Sequence, residues 1–448
     1  MTAPFTYDVR DRIAWVVFDS GGMNTLNQAA LEDLERLIEE IEERADIDGV
    51  VLTGNKYGLG AGADIGELLE ASSVELEQLI DLGNEIFFRI GDMETPWVAV
   101  IDGIALGGIY ELALACDGII ATAKSTVGFP EIRLNIFPGL GGTQRAPRRC
   151  GLAKGFEAIL QGKNYSAVDA AMINLVDAVV PADEDVDAFA SHFLRNTLPT
   201  ISQELPDDFA DAEALRELIM PVVQKATSGR THPRAPYEAV NVMIEGAKGT
   251  LHDGIKLERD MFLDVASSSE GKAGMRFFFT DQQVNKLPKN LGKPRNVEKV
   301  GVDGADGFMG NAIAWLALEA GFQVVAHVPV PELADKVLPG LEAKYAFLVK
   351  KGRRSEEYVQ KLLTSVHVTT KLSDLFDCDL VIEARKEDPA VKGPFFRALG
   401  GGLKPGAIVA SNSSSMGPGY LGQFFKDGGG DISCFIDLHF FSPAEHPS

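Results

Sequence analysis

Short apolar runs alternate with amphipathic stretches in two separate parts of the chain, and this repeated rhythm constrains the fold more than any other feature. Residues 13–18 (IAWVVF) read as a strand, Leu31, Leu34, Leu37, Ile38 and Ile41 then recur at helical spacing with acids between them, and 50–53 reads as a second strand. The pattern continues with a helix at 75–92, a strand at 97–101, a glycine turn into a helix at 107–116, a strand at 117–123 and a glycine loop at 139–142. It closes near residue 190. Residues 191–295 keep helical periodicity, broken by Pro199, Pro206, Pro221, Pro233 and Pro236, and end in the basic stretch KLPKNLGKPRN. Candidate strands then return at 297–302, 323–328, 366–370, 379–384, 407–411 and 434–440. The expectation is an α/β domain at 1–190, a helical extension and linker at 191–295, and a parallel doubly wound α/β domain at 296–448.

Composition narrows the partners. Forty-two Lys and Arg against 65 Asp and Glu give a net charge of −23, which repels phosphate backbones and anionic lipid. Nucleic acid and membrane surfaces are therefore excluded as expected partners, and a phosphorylated ligand must be drawn in by a local patch or by backbone N–H groups. Cys116, Cys150, Cys378 and Cys434 are too scattered for a disulfide framework or a metal knuckle, and read as buried reduced thiols of a cytoplasmic protein. The first 18 residues carry neither an export nor an import signal. The most apolar stretch, 97–116, is interrupted by Asp102 and Glu111, so it is a core segment and not a membrane span.

No histidine precedes His192. A Ser-His or Cys-His pair, or a zinc site built on His, cannot form within residues 1–191 alone, so acid/base work there falls to carboxylates whose pKa is raised by burial. Glu111 is the only charge in GGIYELALAC, and Glu131 lies between Pro130 and Ile132 in an apolar loop. Taken singly, each reads more readily as a helix cap or as a partner of Arg133 or Arg145 than as a catalyst. Gly107 and Gly108 open the helix that carries Glu111, and 58–64 (GLGAGAD) follows a strand. Both can offer free N–H groups, and two such groups converging on one carbonyl oxygen form an oxyanion hole.

The segments AGADI (61–65), DGIALGGIYELALACD (102–117), FPEIRLNIFPGLGGTQR (129–145) and GLAKGFEAILQGKNYSAVDA (151–170) resemble the enoyl-CoA hydratase (crotonase) superfamily throughout 1–190. The resemblance implies a crotonase fold, Glu111 and Glu131 as the pair that holds the added water, and the amides of Ala63 and Gly108 as the oxyanion hole. Lys56, just before that loop, is the candidate for the CoA phosphates. THPRAPYEAVNVMIEGAKG and LERDMFLDVASSSEGKAGMRFFF are similar to the linker of fatty-acid oxidation complex α subunits, a family that fuses a hydratase to a 3-hydroxyacyl-CoA dehydrogenase.

In the second α/β domain the turn GADGFMG spaces its glycines as GxxGxxG, with Gly304, Gly307, Met309 and Gly310 as cofactor-binding candidates and Asp306 inserted. QVVAHV ends in His327 and Val328 where a ribose-binding acid is expected. VIEARKEDPAVK, ASNSSSM and LHFFSP resemble dehydrogenase motifs. They imply Glu387 and Lys392 at cofactor positions and Ser414 and His439 at catalytic positions, with Ser442 in place of the family's Asn. The acid that orients the family's histidine lies in a segment beyond Ser448, so the Rossmann-like domain is expected to be incomplete and its NAD binding weak.

The expected activity is hydration of 2-enoyl-CoA, which needs no cofactor and no metal. The rivals are an enoyl-CoA isomerase, a bifunctional hydratase/dehydrogenase, and a non-catalytic acyl-CoA-binding assembly module. The resemblance points to two kinds of assembly, a homo-oligomer or association with a thiolase subunit.

Overall fold

The computed structural model describes residues 3–198, 205–227, 234–285 and 294–441. The chain divides into two compact units, Met1–Leu287 and Pro288–Ser448. The first contains strands β1 (Phe5–Arg10), β2 (Ile13–Phe18), β3 (Gly49–Thr53), β4 (Gly58–Gly60), β5 (Trp97–Ile101), β6 (Ile104–Leu106), β7 (Gly118–Thr122), β8 (Thr126–Gly128), β9 (Asn164–Ser166) and β10 (Ala178–Val180). They form a six-stranded sheet in the order β1-β2-β3-β5-β7-β10 and a four-stranded one in the order β4-β6-β8-β9. Only β1 runs antiparallel in the larger sheet, pairing Phe5–Arg10 with Ile13–Phe18. The central strands are continuous apolar runs because both faces are covered. Ala14, Val16, Val50, Leu52, Trp97 and Ala99 face the main core, while Ile13, Trp15, Val51, Val98 and Val100 pack under Phe193, Leu194 and Leu198.

Four helices of this unit position the site: α1 (Gly108–Ala115), α2 (Gly142–Cys150), α3 (Leu251–Ser267) and α4 (Ser269–Asn285). The last two come from the stretch read as an extension, yet they belong to the same unit. Phe262, Val265, Ala266 and Met275 share one core with the sheet. That helical stretch is thus not a separate layer: apolar residues at helical spacing bury themselves against the α/β body because a helix of this kind has no other place to hide its stripe. At Gly274 the backbone of α4 comes so close to the turn Glu131–Leu134 that a Cβ would sit 2.1 Å from the Leu134 carbonyl oxygen.

The second unit is a single parallel sheet of β11 (Lys299–Asp303), β12 (Gln323–His327), β13 (Val366–Thr369), β14 (Leu380–Glu383), β15 (Ile408–Ser411) and β16 (Phe435–Asp437), in the order β13-β12-β11-β14-β15-β16. All six candidate strands are found. One face packs on Ile313, Ala314 and Leu318 of α5 (Phe308–Glu319), the other on Phe395, Phe396, Leu421 and Phe425. This is the doubly wound arrangement, with its strand order reversing between β11 and β14. All four cysteines are unpaired, and Cys150 is half-buried where full burial was expected. Among the described residues no helix is long and apolar enough to cross a membrane.

Replacing Gly274 with valine is expected to push α4 away from Leu134 and to lower unfolding stability by roughly 1 to 3 kcal/mol, the usual cost of overpacking. A urea midpoint equal to wild type would contradict the close approach.

Candidate functional site

Glu111 stands in the first turn of α1, on an otherwise apolar helix, and is 2% exposed. Its Oε1 accepts N–H groups from Leu140 at 2.8 Å and Gly142 at 2.7 Å. Burial pushes its pKa up to about 7, opposed by those two amides and by Arg145. Glu131 opens the turn Glu131–Leu134 and is 8% exposed. Its Oε2 is buried and has no hydrogen-bond partner among the described residues. Burial, then the neighbouring Glu111, raises its pKa well above the ordinary carboxylate range. A buried carboxyl oxygen without a donor is costly, so this atom is poised for a group that arrives from outside.

Gly107 makes the approach of the two glutamates feasible. Its φ of +53° is left-handed, and a Cβ there would lie 2.7 Å from Glu131 Oε1. The N–H of Gly107 is used by the Gly128 carbonyl at 2.9 Å, which fixes the turn and leaves Gly108 as the first residue of α1. A Cβ on Gly108 would be 3.4 Å from the Ala63 amide nitrogen, so the two expected oxyanion positions are neighbours. Ala63 is held by the flanking bonds Leu26 N–H to Gly62 O and Asp64 N–H to Leu26 O, and its own N–H has no backbone partner among the described residues. Asp64 then caps the helix Ile65–Glu70. Lys56 is exposed in the turn between β3 and β4, its ammonium 5.0 Å from the Tyr57 ring centroid.

Two further charged groups complete the cluster. Arg145 on α2 is 6% exposed and donates to the carbonyls of Phe87 and Leu140, not to a carboxylate, and burial lowers its pKa to about 10. Glu258 on α3 is fully buried and accepts the N–H groups of Gly141 and Thr143 and the Thr143 hydroxyl. Burial and then Glu111 raise its pKa to about 8. Sequence reasoning missed Glu258, although a signal existed: it lies on the apolar stripe of α3 that also carries Ile255, Phe262 and Val265.

In the second unit the carboxyl ends of adjacent strands carry one polar row, since His327 pairs in register with Asp303, Asp303 with Glu383, Glu383 with Ser411 and Ser411 with Asp437. Gly304 takes a φ of +81°, Gly307 precedes α5 and donates to Gly304 O, Met309 is half-buried, and a Cβ on Gly310 would meet Gly304 O at 2.1 Å. Lys392 is 1% exposed, with its ammonium 2.8 Å from both oxygens of the buried Glu383. Glu387 accepts from the Ser413 and Ser415 hydroxyls and from the amides of Ser414 and Ser415. Burial would raise its pKa, but those bonds outweigh it and hold the group near 2. Ser414 is exposed, and so is His439, whose ring stands 4.9 Å from that of Phe441. Ser442 lies outside the described residues.

Residues 9–206 match the enoyl-CoA hydratase/isomerase family, and residues 299–447 match the NAD-binding domain of the 3-hydroxyacyl-CoA dehydrogenases. The chain joins a hydratase/isomerase domain to a dehydrogenase NAD-binding domain. It is 29% identical over 440 residues to the fatty acid oxidation complex subunit alpha of Idiomarina loihiensis, covering 95% of this chain and 60% of that subunit. The chain thus spans about 60% of the length of this relative. Among solved structures it is similar to Pseudomonas aeruginosa DspI, at 26% identity over 59% of this chain and 96% of that one with a TM-score of 0.42. It is also similar to an enoyl-CoA hydratase from Bacillus anthracis, at 27% identity over 65% of this chain and all of that one (100%), with a TM-score of 0.39.

The dehydrogenase domain has the sheet order for a dinucleotide, but its residues do not fit the adenosine ribose. Ribose hydroxyls need a carboxylate at the end of the second strand. Here β12 ends in His327, buried and bonded through Nδ1 to Asp303 at 2.5 Å, followed by the buried Val328. Arg385, just beyond β14, reaches back to the same Asp303. The crevice at the strand-order reversal therefore holds an internal Asp303–His327–Arg385 cluster, which the sequence reading did not identify.

In the hydratase/isomerase domain, three carboxyls bind protons more tightly folded than unfolded. Their stabilising effect is present below the ordinary carboxylate pKa and is lost as pH rises through about 7 to 8. The urea midpoint of this domain is expected to fall between pH 5.5 and 8.5, and to fall less in Glu131→Gln. Equal slopes for the two proteins would contradict the raised pKa of Glu131.

Proposed function

We propose that the hydratase/isomerase domain adds water across the 2,3 double bond of a 2-enoyl-CoA to give 3-hydroxyacyl-CoA, as one step of fatty-acid β-oxidation. The observation that carries this reading is the unequal pair of buried glutamates. Hydration needs one group to take a proton from water while another gives a proton to C2. Glu111, with two amide donors and Arg145 nearby, has the means to stay ionised and accept the water proton as the oxygen bonds C3. Glu131, whose Oε2 has no donor among the described residues and which has a like charge beside it, keeps its proton and delivers it to C2. The Ala63 and Gly108 amides stabilise the negative charge that develops on the thioester oxygen between these events. Transfer of the proton from Glu111 back to Glu131 resets the site. An isomerase needs only one such carboxyl, and a non-catalytic binding module needs neither.

Lys56 is assigned to the CoA phosphates, against a chain of charge −23. The NAD-binding domain is assigned weak dinucleotide affinity, because the ribose acceptor is missing and Asp303 is already committed to His327 and Arg385. No dehydrogenase step is therefore attributed to Ser414 and His439 in this chain. Assembly as a homo-oligomer or with a thiolase subunit accompanies the reading from the family resemblance, and a cytoplasmic location from the scattered, unpaired cysteines.

Glu111→Gln and Glu131→Gln are each expected to lower hydration of crotonyl-CoA by roughly 10² to 10⁴ with the fold retained, the usual worth of a positioned acid or base. Near wild-type turnover in either variant would remove that glutamate from the chemistry. Incubation with NAD and 3-hydroxybutyryl-CoA is expected to yield no NADH at enzymatic rates. Turnover of about 1 per second or faster would restore the bifunctional reading.

A further inference from the structure

The end of the loop before α2 and the first two residues of α2 present four consecutive backbone N–H groups, and the structure divides them between two carboxylates. Those of Leu140 and Gly142 go to Glu111, and those of Gly141 and Thr143 go to Glu258. Here alternate amides reach different carboxylates, so a carboxylate that holds one pair also constrains the direction of the other pair on the same short backbone. Glu258 adds the Thr143 hydroxyl to its set, and that hydroxyl is in turn held by Gln144 Nε2 at 2.9 Å. Leu140 also touches the oxyanion region, with its Cδ1 3.5 Å from where a Gly108 Cβ would lie.

We propose that Glu258 is a positioning residue for hydration, clamping the 140–143 loop from outside so that its inner amides set the orientation and basicity of Glu111. The proposal rests on the hydratase reading above. It also makes α3, which lies beyond the segment matched to the hydratase/isomerase family, an integral part of the active site. A fully buried carboxylate is expensive, and nothing about packing requires one at this place on an apolar stripe. The charged groups that act on it are few. Glu111 on α1 faces it across the loop, Glu131 lies within its field, and Arg145 on α2 is the one buried cation of the cluster among the described residues. Asp92 acts on Arg145 from the end of the helix Ser73–Asp92, while Arg259, next along α3, turns outward to Glu77, Asp81 and Asp260.

Glu258→Gln tests this, because the amide keeps the volume but presents only one oxygen to three donors. Freed from the outer clamp, the loop withdraws the Leu140 and Gly142 amides from Glu111, whose anion then loses stabilisation. The variant is expected to lose roughly 10- to 100-fold in kcat, the scale of an ångström-sized misplacement. The KM for crotonyl-CoA should stay within about twofold, and the acid limb of the pH profile should move up by about half a unit or more. Thr143→Val, which removes one donor of the clamp, is expected to shift the limb the same way by less, and serves if Glu258→Gln does not fold. An acid limb that stays in place in these variants overturns the proposal, whether kcat is unchanged or falls together with stability. A wild-type protein that hydrates no 2-enoyl-CoA defeats the hydratase reading instead. In that case the ¹³C carboxyl titration of Glu111, assigned with Glu111→Gln, still decides: a raised midpoint in Glu258→Gln supports the clamp, and an unmoved or lowered one overturns it.

Discussion

Three carboxyl groups, Glu111, Glu131 and Glu258, are buried around one loop with a single buried guanidinium, Arg145, among the described residues to balance them. Full ionisation of all three is electrostatically prohibitive, so the cluster must share protons near neutral pH. The local architecture follows from that constraint. The four amides of 140–143 go to Glu111 and Glu258, and Glu131 Oε2 is left without a donor among the described residues. Chemistry that needs a base and an acid side by side at one pH obtains both from this inequality.

The helices α3 and α4, packed on the α/β body by their apolar stripes, serve the same constraint. They contribute Glu258 to the loop, and through Gly274 they seal the turn that presents Glu131. Excluding water from the carboxyls raises their pKa values, and it also strengthens every dipole aimed at the thioester oxygen. The second unit spends buried charge differently. Its polar row at the carboxyl edge is closed on itself, with Glu383 tied to Lys392 and Ser411, and Asp303 tied to His327 and Arg385. Such pairs hold the strand ends together, and they leave little free capacity for a ribose.

Much of this was legible in the sequence. Parallel strands buried on both faces are unbroken apolar runs, so IAWVVF, WVAVI and the central strands of the second unit stand out. Strand β1 did not, because FTYDVR is half-exposed at a sheet edge and takes its conformation from pairing with β2. Glu111 was visible as one charge in an apolar helix. Glu258 was missed because the charges of KLERDMF read as an ordinary solvated helix, although its spacing from Ile255, Phe262 and Val265 places it on the apolar stripe. Asp303, Arg385 and the polar row were equally hidden, because register between distant strands brings them together and no local pattern records it.

Water is the reactant in the proposed chemistry. Incubating the protein with crotonyl-CoA or a longer 2-enoyl-CoA in ¹⁸O-labelled water and analysing the product by mass spectrometry tests this directly. One ¹⁸O atom at C3, together with one solvent hydrogen at C2 when D₂O is used, is the result this account predicts. A product that has moved its double bond without gaining oxygen, or unchanged substrate, would contradict it.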